Sequence, residues 1–134
     1  MLSGPPRLYP VRYVRRMRGL TQVAQHADDL DRATAFYRDV LGVRHIATYR
    51  PPGLAFFDLD GVRLLIEQGA PSAVLYLYSD DIEADVARLR AHEVEIVEEP
   101  HLIFTDDGTF GTPGKEIRMA AFRDSEGNLL CLMT

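Results

Sequence analysis

The stretch 28–43, DDLDRATAFYRDVLGV, constrains the fold more than any other part of the chain. Its apolar residues, Leu30, Ala33, Phe36, Tyr37, Val40 and Leu41, recur at three- and four-residue steps and make one stripe on a helix. Asp28, Asp29 and Asp31 open it, where a carboxylate accepts the unpaired N–H groups of a first turn. Gly42 closes it, the residue that most easily turns left-handed after a helix. A fainter copy follows 52 residues on. Asp80-Asp81-Ile82 repeats Asp28-Asp29-Leu30, and Ile82, Val86 and Leu89 form the apolar face of a second helix.

The surroundings of the two helices repeat as well. Residues 20–26 read as a strand before the first helix, and 45–49, 54–59 and 62–67 read as three strands after it. Pro51-Pro52-Gly53 and Asp60-Gly61 supply the turns. After Gly69-Ala70-Pro71 the order begins again, with strands at 73–78 and 94–98, a loop beginning at Pro100, and a hairpin of 116–122 with 129–133. That hairpin turns at Asp124-Ser125-Glu126-Gly127-Asn128, matching Asp60-Gly61 in the first copy. The second copy is longer because of a loop at 104–115, whose Gly108, Gly111 and Gly114 suit either a lid or a plain exposed loop. The expected fold is α+β, two βαβββ modules at about 19–69 and 72–134. Two copies make a duplication and not a repeat array.

Residues 1–18 stand apart as a basic N-terminal extension, with Arg7, Arg12, Arg15, Arg16 and Arg18. It reads as a loose tail, as a basic arm for an anionic partner, or as an edge strand through the alternation of Val11 and Tyr13. A net charge of −5 argues against a general nucleic-acid surface. No apolar run approaches the roughly 20 residues that span a bilayer, and the first ten residues lack a secretory core. Cys131 is the single cysteine, so no disulfide forms within the chain, as expected of a cytoplasmic protein.

With D-D-L-D-R-A-x-A-F-Y-R-D-V-L-G in one copy and F-R-D-x-x-G-N-L in the other, the chain resembles the vicinal oxygen chelate superfamily. That superfamily holds glyoxalase I, methylmalonyl-CoA epimerase, extradiol dioxygenases and bleomycin resistance proteins. The resemblance covers about 19–134 and implies the glyoxalase/bleomycin-resistance-like fold. Its enzymes bind a divalent metal at four slots, two per module. The slots lie seven residues before the helix-start aspartate and four residues after the hairpin glycine. Here they hold Gln22, Leu65, Val74 and Cys131. Leu65 and Val74 offer no lone pair, and one amide with one thiol is a poor donor set for a hard cation. The resemblance therefore implies no metal cofactor here; the alternative is one divalent ion held by Gln22 and Glu67, since Glu67 lies two residues past Leu65 on the same strand face.

Strand alternation lists the residues of the ligand face as Gln22, Ala24 and His26, then Arg63, Leu65 and Glu67, then Val74, Tyr76 and Tyr78, then Leu129, Cys131 and Met133. This is an apolar concavity with a few polar groups, the usual make-up of a small-molecule site. His26 and Glu67 are the candidate bases, against a structural histidine bonded to a backbone carbonyl. Tyr76 and Tyr78 are placed to stack on a flat ligand, or are ordinary strand tyrosines. Cys131 reads equally as a small buried hydrophobe. His101, after Glu98-Glu99-Pro100, resembles a segment of glyoxalase-like proteins, and His45 reads as structural. The expected function is a metal-free binder of a small organic molecule, with bleomycin resistance proteins as the precedent. The alternative is a lyase, epimerase or isomerase that removes a proton beside a carbonyl. A third reading is an interaction module with a vestigial cavity. The resemblance also implies a homodimer.

Overall fold

The computed structural model describes residues 19–134; the N-terminal extension and its alternative strand at Val11 and Tyr13 lie outside the described residues. The first module runs β1 (Gln22–His26), α1 (Leu30–Ala35), β2 (Arg44–Tyr49), β3 (Leu54–Leu59) and β4 (Val62–Glu67). The second runs β5 (Leu75–Tyr78), α2 (Ile82–Ala91), β6 (Ile96–Thr105), β7 (Glu116–Arg123) and β8 (Leu129–Met133). Each module folds into its own four-stranded mixed sheet, in the orders β1-β4-β3-β2 and β5-β8-β7-β6. The first strand of each is parallel to the last, and the other pairings are antiparallel. This is the expected α+β pair of βαβββ modules.

The duplicated aspartates do the same work twice. Asp29 caps α1 by accepting from the Arg32 N–H at 3.0 Å, and Asp81 caps α2 by accepting from the Ala84 N–H at 3.1 Å. The expected single α-helix over 28–43 is instead a short α-helix followed by a π-helical turn at Phe36–Val40, where the Leu41 N–H reaches Phe36 O at 3.0 Å. The wider turn carries Tyr37 into the core and brings its hydroxyl to the second module. Gly42, at φ +71°, ends the helix as its residue type predicts, with the Val43 N–H bonded to Tyr37 O at 2.8 Å.

One face of each sheet packs on its helix, and both packed faces share one core. Leu64, Ile66, Ala55 and Phe57 of the first sheet are buried with Leu130, Leu132, Ala120 and Phe122 of the second. Ala33 and Tyr37 fill the space from α1 and its extension, and Ile82, Val86 and Leu89 from α2.

Residues 100 and 101, expected to begin a loop, lie within β6. Pro100 is tolerated there because β6 is the edge strand of its sheet, and its pairing with β7 shifts register on either side of His101. The glycine-rich loop is accordingly shorter than expected and is tied down. Asp106 is buried beneath it and accepts from the N–H groups of Gly108, Phe110 and Thr112 and from the Thr112 hydroxyl.

Those donors, the Thr112 hydroxyl foremost, hold the Asp106 carboxyl down at about 2. Burial pushes Glu126 the other way, but hydrogen bonds from Arg32, the Asp29 N–H and Ser125 prevail and bring it to about 2 as well. Both values are depressed, so their stabilising effect is complete above the unfolded carboxylate range and is lost as pH falls through the folded values. The contribution of these two carboxylates to the urea midpoint is expected to be level from pH 7 to about 5 and to fall steadily from there to about 2. In the double variant Asp106→Asn/Glu126→Gln that slope should flatten; an unchanged slope would assign acid sensitivity to other groups.

Candidate functional site

The face of each sheet turned away from the helices carries every residue expected at the site except Val74, which is exposed and precedes β5. On the first sheet the register sets these residues in cross-strand rows. Gln22, Arg63, Asp58 and Arg44 form one row, and Ala24, Leu65, Phe56 and Ala47 the next. His26 and Glu67 are partners at the far end of β1 and β4. On the second sheet one row is Tyr76, Cys131, Ala121 and Glu98, and the next is Tyr78, Met133, Met119 and His101.

Each polar group in these rows has a defined environment. Arg63 Nε donates to Gln22 Oε1 at 2.7 Å, and its guanidinium lies 5.9 Å from the Phe56 ring centre. Tyr49 meets Phe56 edge-on, with ring centres 5.9 Å apart. His26 Nε2 lies 2.8 Å from Asp28 Oδ1, and that hydrogen bond raises the imidazole above its ordinary value against a smaller opposing effect of burial. The bond to Asp28 thereby shifts His26 toward its cationic donor form. Burial pushes the Cys131 thiol up, with the Glu98 carboxylate adding to it, so the thiolate is disfavoured. His101 Nδ1 sits 2.8 Å from the Glu99 carbonyl, and its Nε2 is 3.6 Å from Glu98. Tyr76 and Tyr78 are 58% and 73% exposed, too open for ordinary half-buried strand tyrosines. Lys115 lies over the Tyr78 ring at 5.7 Å. His45 is structural in its contacts, packing 5.2 Å from Phe57 and meeting Thr48 Oγ1 at 2.8 Å.

No strand of one sheet pairs with a strand of the other among the described residues. The modules meet through a shared core to which both helix-covered faces contribute. A groove of about 490 Å³ does lie at the seam, lined by Phe36, His92, Val94, Glu95, Arg123 and Ser125 among others. None of the expected site residues lines it.

The seam itself is polar, and its members had no assigned role in the sequence. Tyr37 donates to Asp124 Oδ2 at 2.7 Å, and Asn128 Nδ2 donates both to Asp124 Oδ2 and to His26 O at 2.8 Å. Gln25 is fully buried and accepts from the Ala73 N–H at 3.0 Å. The Ser72 hydroxyl accepts from the His26 N–H at 2.9 Å and donates to Asn128 at 2.5 Å. Arg32 forks onto Glu126 at 2.7 and 3.0 Å. Asp124 and Asn128 belong to the hairpin motif that marked the second copy, which was the available signal.

Paired βαβββ modules with this helix-start and hairpin pattern match the family model described as Glyoxalase/Bleomycin resistance protein/Dioxygenase superfamily over residues 19–132. The chain belongs to that superfamily. Among solved structures, the superfamily chain is similar to a lactoylglutathione lyase from Agrobacterium tumefaciens, at 25% identity and a TM-score of 0.65, covering 89% of this chain and 95% of that one. It shares its fold with TnmS3, an antibiotic binding protein from a Streptomyces species, at 19% identity and a TM-score of 0.70, covering 89% and 97%. An integron cassette protein from V. Cholerae matches at 21% identity and a TM-score of 0.70, covering 91% and 98%. Comparison with curated proteins gave no match.

The superfamily's metal slots can be tested against the side chains that fill them. Gln22 is engaged by Arg63, Leu65 is buried, Val74 precedes its strand, and Cys131 favours the thiol form. Among the described residues no three histidine, cysteine, aspartate or glutamate side chains converge. These residues do not fit a hard divalent cation. No helix among them is long and apolar enough to cross a membrane.

Proposed function

We propose that this superfamily member binds a small, flat, partly apolar organic molecule without a divalent metal, in a cleft completed by a second copy of the chain. The observation that carries the reading is the row Ala24, Leu65, Phe56 and Ala47, with apolar Leu65 standing at a metal slot. The open face of the second sheet supports it with the exposed rings of Tyr76 and Tyr78 beside Met119 and Met133. Two copies related by a two-fold axis can lay the first sheet of one against the second sheet of the other. Gln22, His26, Arg63 and Glu67 would then face Tyr76, Tyr78, His101 and Cys131 of the second copy across the ligand. A single buried cysteine suits a cytoplasmic setting. The likeness to an antibiotic binding protein adds a precedent for sequestration on this fold.

A proton-transfer reading is favoured by one observation, the pairing of Glu67 with His26, whose imidazole is oriented by Asp28. There Glu67 is the base and His26 the proton donor that polarises a carbonyl oxygen, since Asp28 favours the cationic imidazole.

The test is a calorimetric titration of the size-fractionated protein with nickel, zinc and manganese chlorides. A dimer that takes up no metal at micromolar affinity is expected. One ion per chain would sink the metal-free reading, and a monomer would sink the two-copy cleft.

A further inference from the structure

We infer that the ligand class is an aromatic carboxylic acid, anchored by Arg63; this deepens the cleft reading above and rests on it. The chain carries a net charge of −5, yet the row Gln22, Arg63, Asp58, Arg44 sets two guanidinium groups against one carboxylate. Arg44 is the partner of that carboxylate, at 3.6 Å from Asp58 Oδ2. Arg63 spends only its Nε, on the Gln22 carbonyl oxygen. Among the described residues its two Nη groups have no hydrogen-bond or ion-pair partner, although the side chain is held in place by Gln22 and by the Phe56 ring. A guanidinium fixed through Nε presents its Nη atoms as a fork, the geometry that takes a carboxylate with two bonds.

The neighbouring row states what the rest of the ligand is. Ala24, Leu65 and Phe56 form an apolar floor directly beside Arg63, and Tyr49 closes on Phe56. Adjacent same-face rows are roughly 7 Å apart along the strands. An aromatic ring seated over Leu65 and Phe56 therefore places an attached carboxylate at the Arg63 fork. Of the two acids on this face, Asp58 is paired with Arg44, and Glu67 lies four residues from Arg63, roughly 13 Å along β4.

Isothermal titration of the full chain with 2-naphthoate and with its neutral counterpart 2-naphthamide tests the inference. The acid is expected to bind at least about tenfold more tightly than the amide, the scale of one charge-assisted contact. Arg63→Gln should abolish that preference, weakening the acid at least about tenfold more than it weakens the amide, and Arg63→Lys should keep part of it. Arg63 is exposed, so both variants should melt with the wild type, and their melting temperatures check this. Equal binding of acid and amide by the wild type, or an acid preference that survives Arg63→Gln, overturns the aromatic-acid inference and leaves the cleft reading standing. If neither compound binds at millimolar concentration, the cleft reading for flat apolar ligands falls and takes the inference with it.

Discussion

Asp124→Ala is expected to destabilise the chain by about 3–5 kcal/mol in urea unfolding, among the largest effects of any single polar substitution. The carboxylate is 6% exposed and accepts from the Tyr37 hydroxyl, from the N–H groups of Glu126 and Asn128, and from Asn128 Nδ2. Deleting it leaves the buried Tyr37 hydroxyl with Gln25 alone, at a long 3.5 Å, and orphans several donors at once. Each buried donor left unpaired costs about 1–3 kcal/mol, which is why the sum exceeds that of an ordinary hydrogen bond. The melting temperature should fall by more than about 10 °C. The loss is concentrated where the modules meet, because Tyr37 and Asp124 come from different modules. Asp124→Asn, which keeps an acceptor in place, should cost less. A loss below about 1 kcal/mol for Asp124→Ala would mean that water replaces the carboxylate and that the seam is held by the apolar core alone.

Phe57→Ala is expected to cost about 3–5 kcal/mol, and its neighbour Phe56→Ala only about 1–2 kcal/mol. The two rings lie on opposite faces of β3. Phe57 is fully buried, 5.9 Å from the Tyr37 ring and 5.2 Å from the His45 ring, so its loss opens a cavity in the shared core. Phe56 is partly exposed on the open face, against Tyr49 and beneath Arg63. Its removal should instead weaken binding of flat ligands. Denaturant unfolding of both variants, with the naphthamide titration on Phe56→Ala, separates the roles. If the two variants lost equal stability, the assignment of faces on β3 would be wrong.

The two faces of β3 and β4 are legible in the order of residues alone, because strand alternation is a local property. Phe57 with Leu64 and Ile66 on one face, and Arg63 with Leu65 and Glu67 on the other, follow from period two once the strands are placed. The caps are equally local: Asp29 and Asp81 stand where each helix starts, and each needs only its own next turn. Where the sequence misleads, the competing force is not local. Pro100 looks like the start of a loop until β6 is known to be an edge strand, with an N–H side that needs no partner. The π turn at Phe36–Val40 has no signature in spacing, since its register serves Tyr37 reaching Asp124 across 87 positions of chain.

The sequence by itself determined that there are two βαβββ modules, where their helices start and which strand residues share a face. All of these follow from periodicity, capping and residue chemistry acting over a few residues. Only the tertiary structure decided how the modules meet. They join through a single core and a polar seam of Gln25, Tyr37, Asp124 and Asn128. Tertiary structure also decided which polar groups on the open faces are already engaged. His26 is taken by Asp28, Gln22 by Arg63 and His101 by the Glu99 carbonyl, while among the described residues the Nη groups of Arg63 have no partner. Such partnerships depend on distances between strands, and a list of residues in order carries no distances.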